Sequence, residues 1–498
     1  MTLPNLVIVV MDCVRASDFP GGLDGVPRMP NTEALRRGSI EFPRSASVAT
    51  WTVPAHASLF TGLYPWEHGD HGRRSPVLNP AVPTLAKLLH RHGYRSGSFS
   101  ANALICPVTG LTAGFDFAAW GSMSDLFLRL DHREDPPHAL EEGMKEVSRP
   151  RPGRRGFLNR IPFEEIPIRA EMERRVVIPA AIAQLREKLL RCNRKDVYDV
   201  ARWIEPAMDK FVGSVPSTSP LFCFVNLLDA HEPYFPDPEV LRAHGGAWAF
   251  ARLRQDRVGW LDPHRVSDRW NLGFLHDLYL SSIRRIDRRI GRIIEVLKRN
   301  GRWENTFFLL TSDHGQAFGE HGMLFHRFRA DDALLRIPML ARMPGGRDAG
   351  RVATGWASLV DVAPTVLSFI ESRSPAEFSG VPLTDLIEAP RAGPVFALHD
   401  GTLGDRWVPE SRRAELERIA VAAFRNEMKV VVRFAPEETQ AYDLRRDPGE
   451  STDVWDVERP DLRELAGRAQ AIGRAVEELP AERTDSAVQH RLESWGYV

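Results

Sequence analysis

Leu6-Val-Ile-Val-Val10 is an unbroken apolar run, mostly β-branched, with no polar residue at alternate positions. Such a strand is buried on both faces, as in a parallel sheet covered by helices on each side. Two more runs of this kind follow, Leu221-Phe-Cys-Phe-Val-Asn-Leu-Leu228 and Thr306-Phe-Phe-Leu-Leu-Thr311. Thr84 to His92 reads as an amphipathic helix stopped by Gly93, and Tyr94 to Ser100 as a further strand. Ile283, Ile286, Ile290, Ile293, Ile294 and Leu297 share one helical face, and Asn300-Gly301 ends that helix just before the third run. Helix alternating with buried strand predicts a doubly wound, mostly parallel α/β sheet.

A chain of 498 residues has room for one large α/β domain and a smaller one. The expected division is a catalytic α/β domain over 1–393 and an α+β subdomain over 394–498. The second unit shows short strands (Val421–Phe424, Lys429–Phe434), acidic turns and a last helix from near Pro460. Between about 131 and 215 the periodicity loosens. There Arg-Pro-Arg-Pro-Gly-Arg-Arg (149–155) reads as an exposed loop and 180–190 as a helix. This stretch is read as an insertion that forms a lid or a homo-oligomer contact.

The formal net charge of -1 gives no field for nucleic acid or an anionic membrane, and no apolar run is long enough to span a bilayer. Cys13, Cys106, Cys192 and Cys223 have no CxxC spacing, against a disulfide framework and a cysteine zinc cluster. No leader pattern precedes the first strand, so a cytoplasmic protein is expected.

The three buried runs end in Asp12, in Asp229-Ala-His231 and in Asp313-His314. Ligands of open α/β sheets bind beyond the strands' carboxyl ends, so residues about 300 apart in sequence meet there. Carboxylates and imidazoles without thiolate pairs suit a divalent cation with mixed oxygen and nitrogen preference. The Ala49–Gly62 stretch places the Thr52 hydroxyl before a helix, where it serves as an N-cap, an anion ligand or a nucleophile. The glycine-punctuated loop Gly315–Arg327 carries His321 and His326, either able to neutralise an oxyanion or protonate a leaving group. His321, framed by glycines, reads equally as a turn residue, which makes His326 the better candidate.

An ordered set of motifs carries a family resemblance: Asp12-Cys-Val-Arg15, Pro54-Ala-His-Ala-Ser-Leu-Phe-Thr-Gly-Leu-Tyr-Pro65, Asp229-Ala-His-Glu-Pro-Tyr234, Thr311-Ser-Asp-His-Gly315, Gly319-Glu-His-Gly322 and Tyr442-Asp-Leu-Arg-Arg-Asp-Pro-Gly-Glu450. Over nearly its whole length the chain resembles the sulfatase branch of the alkaline phosphatase superfamily. The resemblance implies one divalent metal held by Asp12, Asp313 and His314. It also implies a metal-bound nucleophile at Thr52 that attacks a sulfate or phosphate ester and forms a covalent intermediate. His231 and His326 fall where family members hold the transferred group and assist the leaving group.

The departures from the family pattern narrow this. Sulfatases carry Cys/Ser-x-Pro-x-Arg, whose first residue becomes formylglycine; here the segment is Thr52-Val-Pro-Ala-His56. A threonine cannot become formylglycine, and threonine nucleophiles belong to the superfamily's phosphodiesterases and transferases. Cys13 stands where many sulfatases have another metal aspartate. With that carboxylate missing and a histidine at 314, Mn²⁺ or Zn²⁺ is favoured over Ca²⁺. Asn102 lies near the place of a sulfate-binding lysine, and would stabilise equatorial oxygens of the transferred group. His56 replaces the motif arginine; it orients Thr52, acts as a base for water, or is a helix histidine with no catalytic part. The expected function is metal-dependent hydrolysis of a small-molecule phosphoester (phosphodiester or phosphonate ester). The alternatives are a sulfuric ester hydrolase with unmodified threonine, a phosphoryl-type transferase, and an inactive metal-binding scaffold.

Overall fold

A computed structural model describes residues 3–19, 29–69, 77–121, 201–232, 234, 237–246, 266–326, 329–370, 378–400 and 418–478. Strand β1 (Asn5–Met11) runs through the middle of a seven-stranded sheet, and all its residues are buried. The others are β2 (Ile40–Glu41), β3 (Arg95–Ser100), β4 (Phe117–Trp120), β5 (Leu221–Leu227), β6 (Thr306–Thr311) and β7 (Met339–Arg342). Their order is β2-β7-β6-β1-β5-β3-β4. Strands β6, β1, β5, β3 and β4 are mutually parallel, while β7 is antiparallel to both its neighbours. Leu6 pairs with Phe222 on one side and Phe307 on the other, so the three buried runs are adjacent and in register.

The pleat sends Leu6, Ile8 and Val10 to one face and Val7, Val9 and Met11 to the other. The first face packs on α1 (Thr52–Thr61) and α2 (Leu85–Arg91); the second packs on α3 (Ile204–Ser214) and α4 (Val266–Arg299). Each fully buried Leu, Ile or Phe contributes about 1.5–3 kcal/mol, which is why these strands tolerate no polar alternation. The expected doubly wound sheet is therefore present.

A second, antiparallel sheet consists of β8 (Val395–His399), β9 (Ala420–Arg425), β10 (Met428–Arg433) and β11 (Glu438–Asp443). Helix α5 (Pro460–Glu478) covers one face, its Gly473 so close to Phe434 that an added Cβ would lie 2.0 Å from the ring. The other face meets Ala46, Leu335 and Trp356 of the main unit. A parallel bridge between Ala49 and Leu398 ties this sheet to the chain just before Thr52.

The end of the expected 131–215 insertion is ordinary core, because α3 buries Ile204, Met208, Phe211 and Val212 on the sheet. The rest of that insertion, including 149–155 and 180–190, lies outside the described residues. No described helix is long and apolar enough to cross a membrane.

Candidate active site

The carboxyl ends of β5, β1 and β6 are stitched together by side chains. Asp12 N continues the ladder to Leu227 O at 3.0 Å. The chain then turns sharply at Cys13, whose φ of 64° lies in the left-handed region that non-glycine residues seldom occupy. That turn points Cys13 N at Asp313 Oδ1 (3.2 Å) and Val14 N at Ser312 Oγ (3.0 Å).

Asp12 is fully buried. Its Oδ2 accepts from Asn102 Nδ2 at 2.8 Å and from Asn226 Nδ2 at 3.1 Å. Burial works to raise its pKa, but His231, His314 and the Asn102 amide hold it below the ordinary carboxylate value. Asp313 is the opposite case: burial, and then the Asp12 charge, push it well above that value. Asp313 Oδ2 has no hydrogen-bond partner and lies 3.4 Å from His314 Nε2, which is also buried without one. The His314 ring places Nδ1 2.9 Å from Gly315 O, so Nδ1–H donates and Nε2 carries the lone pair. Burial brings His314 down to about 4, which keeps that lone pair free of a proton at neutral pH.

An orphaned carboxylate oxygen and an orphaned imidazole nitrogen side by side, next to a second carboxylate, fit a divalent cation. Asp12, Asp313 and His314, the residues expected to hold it, are brought together.

Thr52 is the first residue of α1; its N-cap is Trp51, in extended conformation, with no side-chain capping bond. The N-cap reading of Thr52 is therefore not what the structure shows. Nearby hydroxyls are occupied: Thr50 Oγ1 is 3.1 Å from His399 Nδ1, and Ser47 Oγ donates to Ala49 O at 2.8 Å. Thr52 Oγ1 instead lies 3.5 Å from Asn102 Nδ2, the amide that holds Asp12. His56, one turn on, donates Nδ1–H to Thr52 O at 2.8 Å and packs against Phe224. Burial lowers its pKa.

His231 and His326 stand together, ring centroids 5.0 Å apart, and His326 lies 4.6 Å from the His314 ring. His326 Nδ1 is 3.0 Å from Gln316 Oε1, while Gln316 Nε2 donates to Glu232 Oε2 (2.8 Å) and Tyr234 Oη (2.7 Å). Asn226, Gln316 and Glu232 escaped the sequence reading. Asn226 alone left a signal, as the one polar residue inside the run Leu221–Leu228.

Two candidates, one at a strand end and one in the glycine-punctuated loop, belong elsewhere. Asp229 faces away from the site, 3.0 Å from Arg289 Nε, whose Nη1 reaches Glu205 at 3.0 Å. It is one carboxylate of a buried ion-pair network. His321 is exposed at a φ of 50°, in the turn between two short strands. It is the turn residue.

The sulfatase family model matches residues 4–372, which span the whole constellation. The N-acetylglucosamine-6-O-sulfatase of Bacteroides thetaiotaomicron is 24% identical over 423 residues, 77% of this chain and 71% of that protein. The multifunctional alkaline phosphatase superfamily protein PehA of Trinickia caryophylli is 24% identical over 416 residues, 76% of each. The phosphonate monoester hydrolase of Agrobacterium radiobacter has a similar fold, with a TM-score of 0.63 at 20% identity, covering 95% of this chain and 96% of that one. With the family match covering most of the chain and the fold agreeing, the chain belongs to the sulfatase family.

Proposed function

We propose that this sulfatase-family hydrolase cleaves phosphoesters, phosphodiesters or phosphonate monoesters, with unmodified Thr52 as nucleophile. One observation carries the reading: Thr52 Oγ1 is the hydroxyl of its stretch left uncapped and turned toward the Asp12–Asn102 pair. Asp12, Asp313 and His314, with the Thr52 hydroxyl, would hold a divalent cation, Mn²⁺ or Zn²⁺ by their mixed donors. Such a cation lowers the pKa of a neighbouring hydroxyl and draws charge from a non-bridging oxygen.

The protein supplies the rest. His56 holds the Thr52 carbonyl and so sets the first turn of α1. The unpaired N–H groups at the start of that ten-residue helix favour an anion beside Thr52. His231, with the Asn102 amide hydrogen that Asp12 does not hold, would stabilise the equatorial oxygens, and His326 would serve the leaving oxygen. Thr52 Oγ1 would attack in line and form a bond to phosphorus as the bond from phosphorus to the leaving oxygen breaks; the threonine proton passes to solvent and His326 protonates the leaving oxygen, so that an alcohol departs. Water then breaks that bond and restores the threonine.

A second reading is hydrolysis of sulfuric esters by the same unmodified threonine, supported by relatives that carry sulfatase names. The test is turnover of aryl sulfate, phosphate monoester, phosphodiester and phosphonate ester, with and without Mn²⁺ or Zn²⁺. Phosphodiester or phosphonate ester should be the preferred substrate. Turnover of sulfate alone would sink the phosphoester reading in favour of the second, and transfer to an added alcohol in place of hydrolysis would identify a transferase.

A further inference from the structure

We propose that Cys13, His231, Glu232 and His326 form a second cation site, suited to Zn²⁺, beside the one held by Asp12, Asp313 and His314. One donor atom from each of the four lies within 4.8 Å of the others. Glu232 Oε2 is 3.6 Å from His231 Nδ1 and 3.7 Å from His326 Nδ1, and Cys13 Sγ is 3.8 Å from His326 Nδ1. These separations are too long for hydrogen bonds between nitrogen and oxygen. They are close to the roughly 3.3–3.7 Å between neighbouring ligands on a tetrahedral ion with bonds of about 2.0–2.3 Å.

The chemistry agrees with the spacing. A thiol, two imidazoles and one carboxylate make a donor set for Zn²⁺ and a poor one for Ca²⁺ or Mg²⁺. Cys13 is fully buried and reaches this point only through its left-handed backbone, a conformation tolerated where the surroundings enforce it. On occupation three bonds are exchanged for the ion, those of His326 Nδ1 to Gln316 Oε1 (3.0 Å), His231 Nδ1 to Glu232 O (2.5 Å) and Cys13 Sγ to Asp12 Oδ1 (3.3 Å), while Gln316 keeps its hold on Glu232 and Tyr234 through Nε2.

Charge supplies an independent reason. Asp12, Asp313 and Glu232 gather three carboxylates, and among the described residues no lysine or arginine pairs with any of them. One divalent cation leaves this set net negative, which repels an anionic ester. A second, taking Cys13 as its thiolate, brings the set to neutral and removes that repulsion. His231 and His326 then act on the transferred group through the ion they hold.

The proposal rests on the site and not on the choice of phosphate over sulfate, because its test needs no substrate. Metal-depleted protein is titrated with Zn²⁺ by calorimetry with elemental analysis, and separately with Co²⁺ by absorption spectroscopy. Two ions are expected in the wild type and one in Glu232→Gln and in His326→Ala. The Co²⁺ form should show a near-ultraviolet thiolate charge-transfer band that Cys13→Ser loses. A single ion in the wild type overturns the proposal, as does a second ion that survives Glu232→Gln and His326→Ala. The wild-type count and cobalt spectrum need no variant, so a variant that fails to fold leaves the test decisive.

Discussion

Asn102 donates its side-chain amide to Asp12 Oδ2 at 2.8 Å, and the same nitrogen lies 3.5 Å from Thr52 Oγ1. One neutral side chain thus touches both the proposed metal ligand and the proposed nucleophile. Asn102→Leu removes the donor and leaves Asp12 with Asn226. Loss of one such donor costs about 10²–10³ in kcat. Steady-state kinetics beside the metal dissociation constant should show both worsened; unchanged values would mean the amide is structural.

Thr52→Ala should lower kcat by roughly 10³-fold or more, as expected when a nucleophile is removed. The fold should survive, since the hydroxyl caps nothing. Thr52→Ser should keep measurable turnover. Full activity in Thr52→Ala would refute the nucleophile assignment, and thermal melting of the variant checks the fold.

Burial depresses His314 to about 4 in the folded chain, from an ordinary 6.5. Between those values the unfolded chain takes up a proton that the folded chain refuses. The contribution of neutral His314 is therefore complete above about pH 6.5 and is lost as pH falls toward 4. His314→Asn cannot titrate there. In EDTA, the melting temperature of the wild type should fall relative to His314→Asn across that window. A pH-independent difference would refute the depressed pKa.

Arg289 joins Asp229 and Glu205 beneath the sheet, all three buried. Arg289→Met removes the buried cation that joins the two carboxylates, leaving Asp229 with Arg285 at 3.7 Å and Glu205 with Arg292 at 3.4 Å, and should destabilise the fold by about 3 kcal/mol, read as a lower urea midpoint. Metal content should stay as in the wild type. A drop in metal content with intact stability would put Asp229 back in the site.

The sheet was legible because full burial admits little but apolar residues, so β1, β5 and β6 announced themselves within one residue of their bounds. Asp12, Asp313 and His314 were legible as strand-end polar residues. Asp229 misled for a geometric reason. Met11 pairs with Leu227, so Asp12 and Asp229 sit one pleat step apart, and successive side chains point to opposite faces. Gln316 and Glu232 left no local signal, because an amide and a carboxylate in a loop are ordinary until the fold brings them to His326. Helix α3 was hidden by the arginine- and proline-rich chain ahead of it, although Ile204, Met208, Phe211 and Val212 have helical spacing.

The placement of β1 also constrains how the protein is made. Its partners are β5 and β6, more than 200 and about 300 residues later in the chain. At synthesis rates of about 5–20 residues per second, β1 waits roughly 15–60 s on the ribosome before β6 emerges. During that time its Leu-Val-Ile-Val-Val segment is an exposed, uncharged strand with two open edges. The same centrality that aligns Asp12 with Asp313 leaves this segment without both of its partners until Thr311 has been translated.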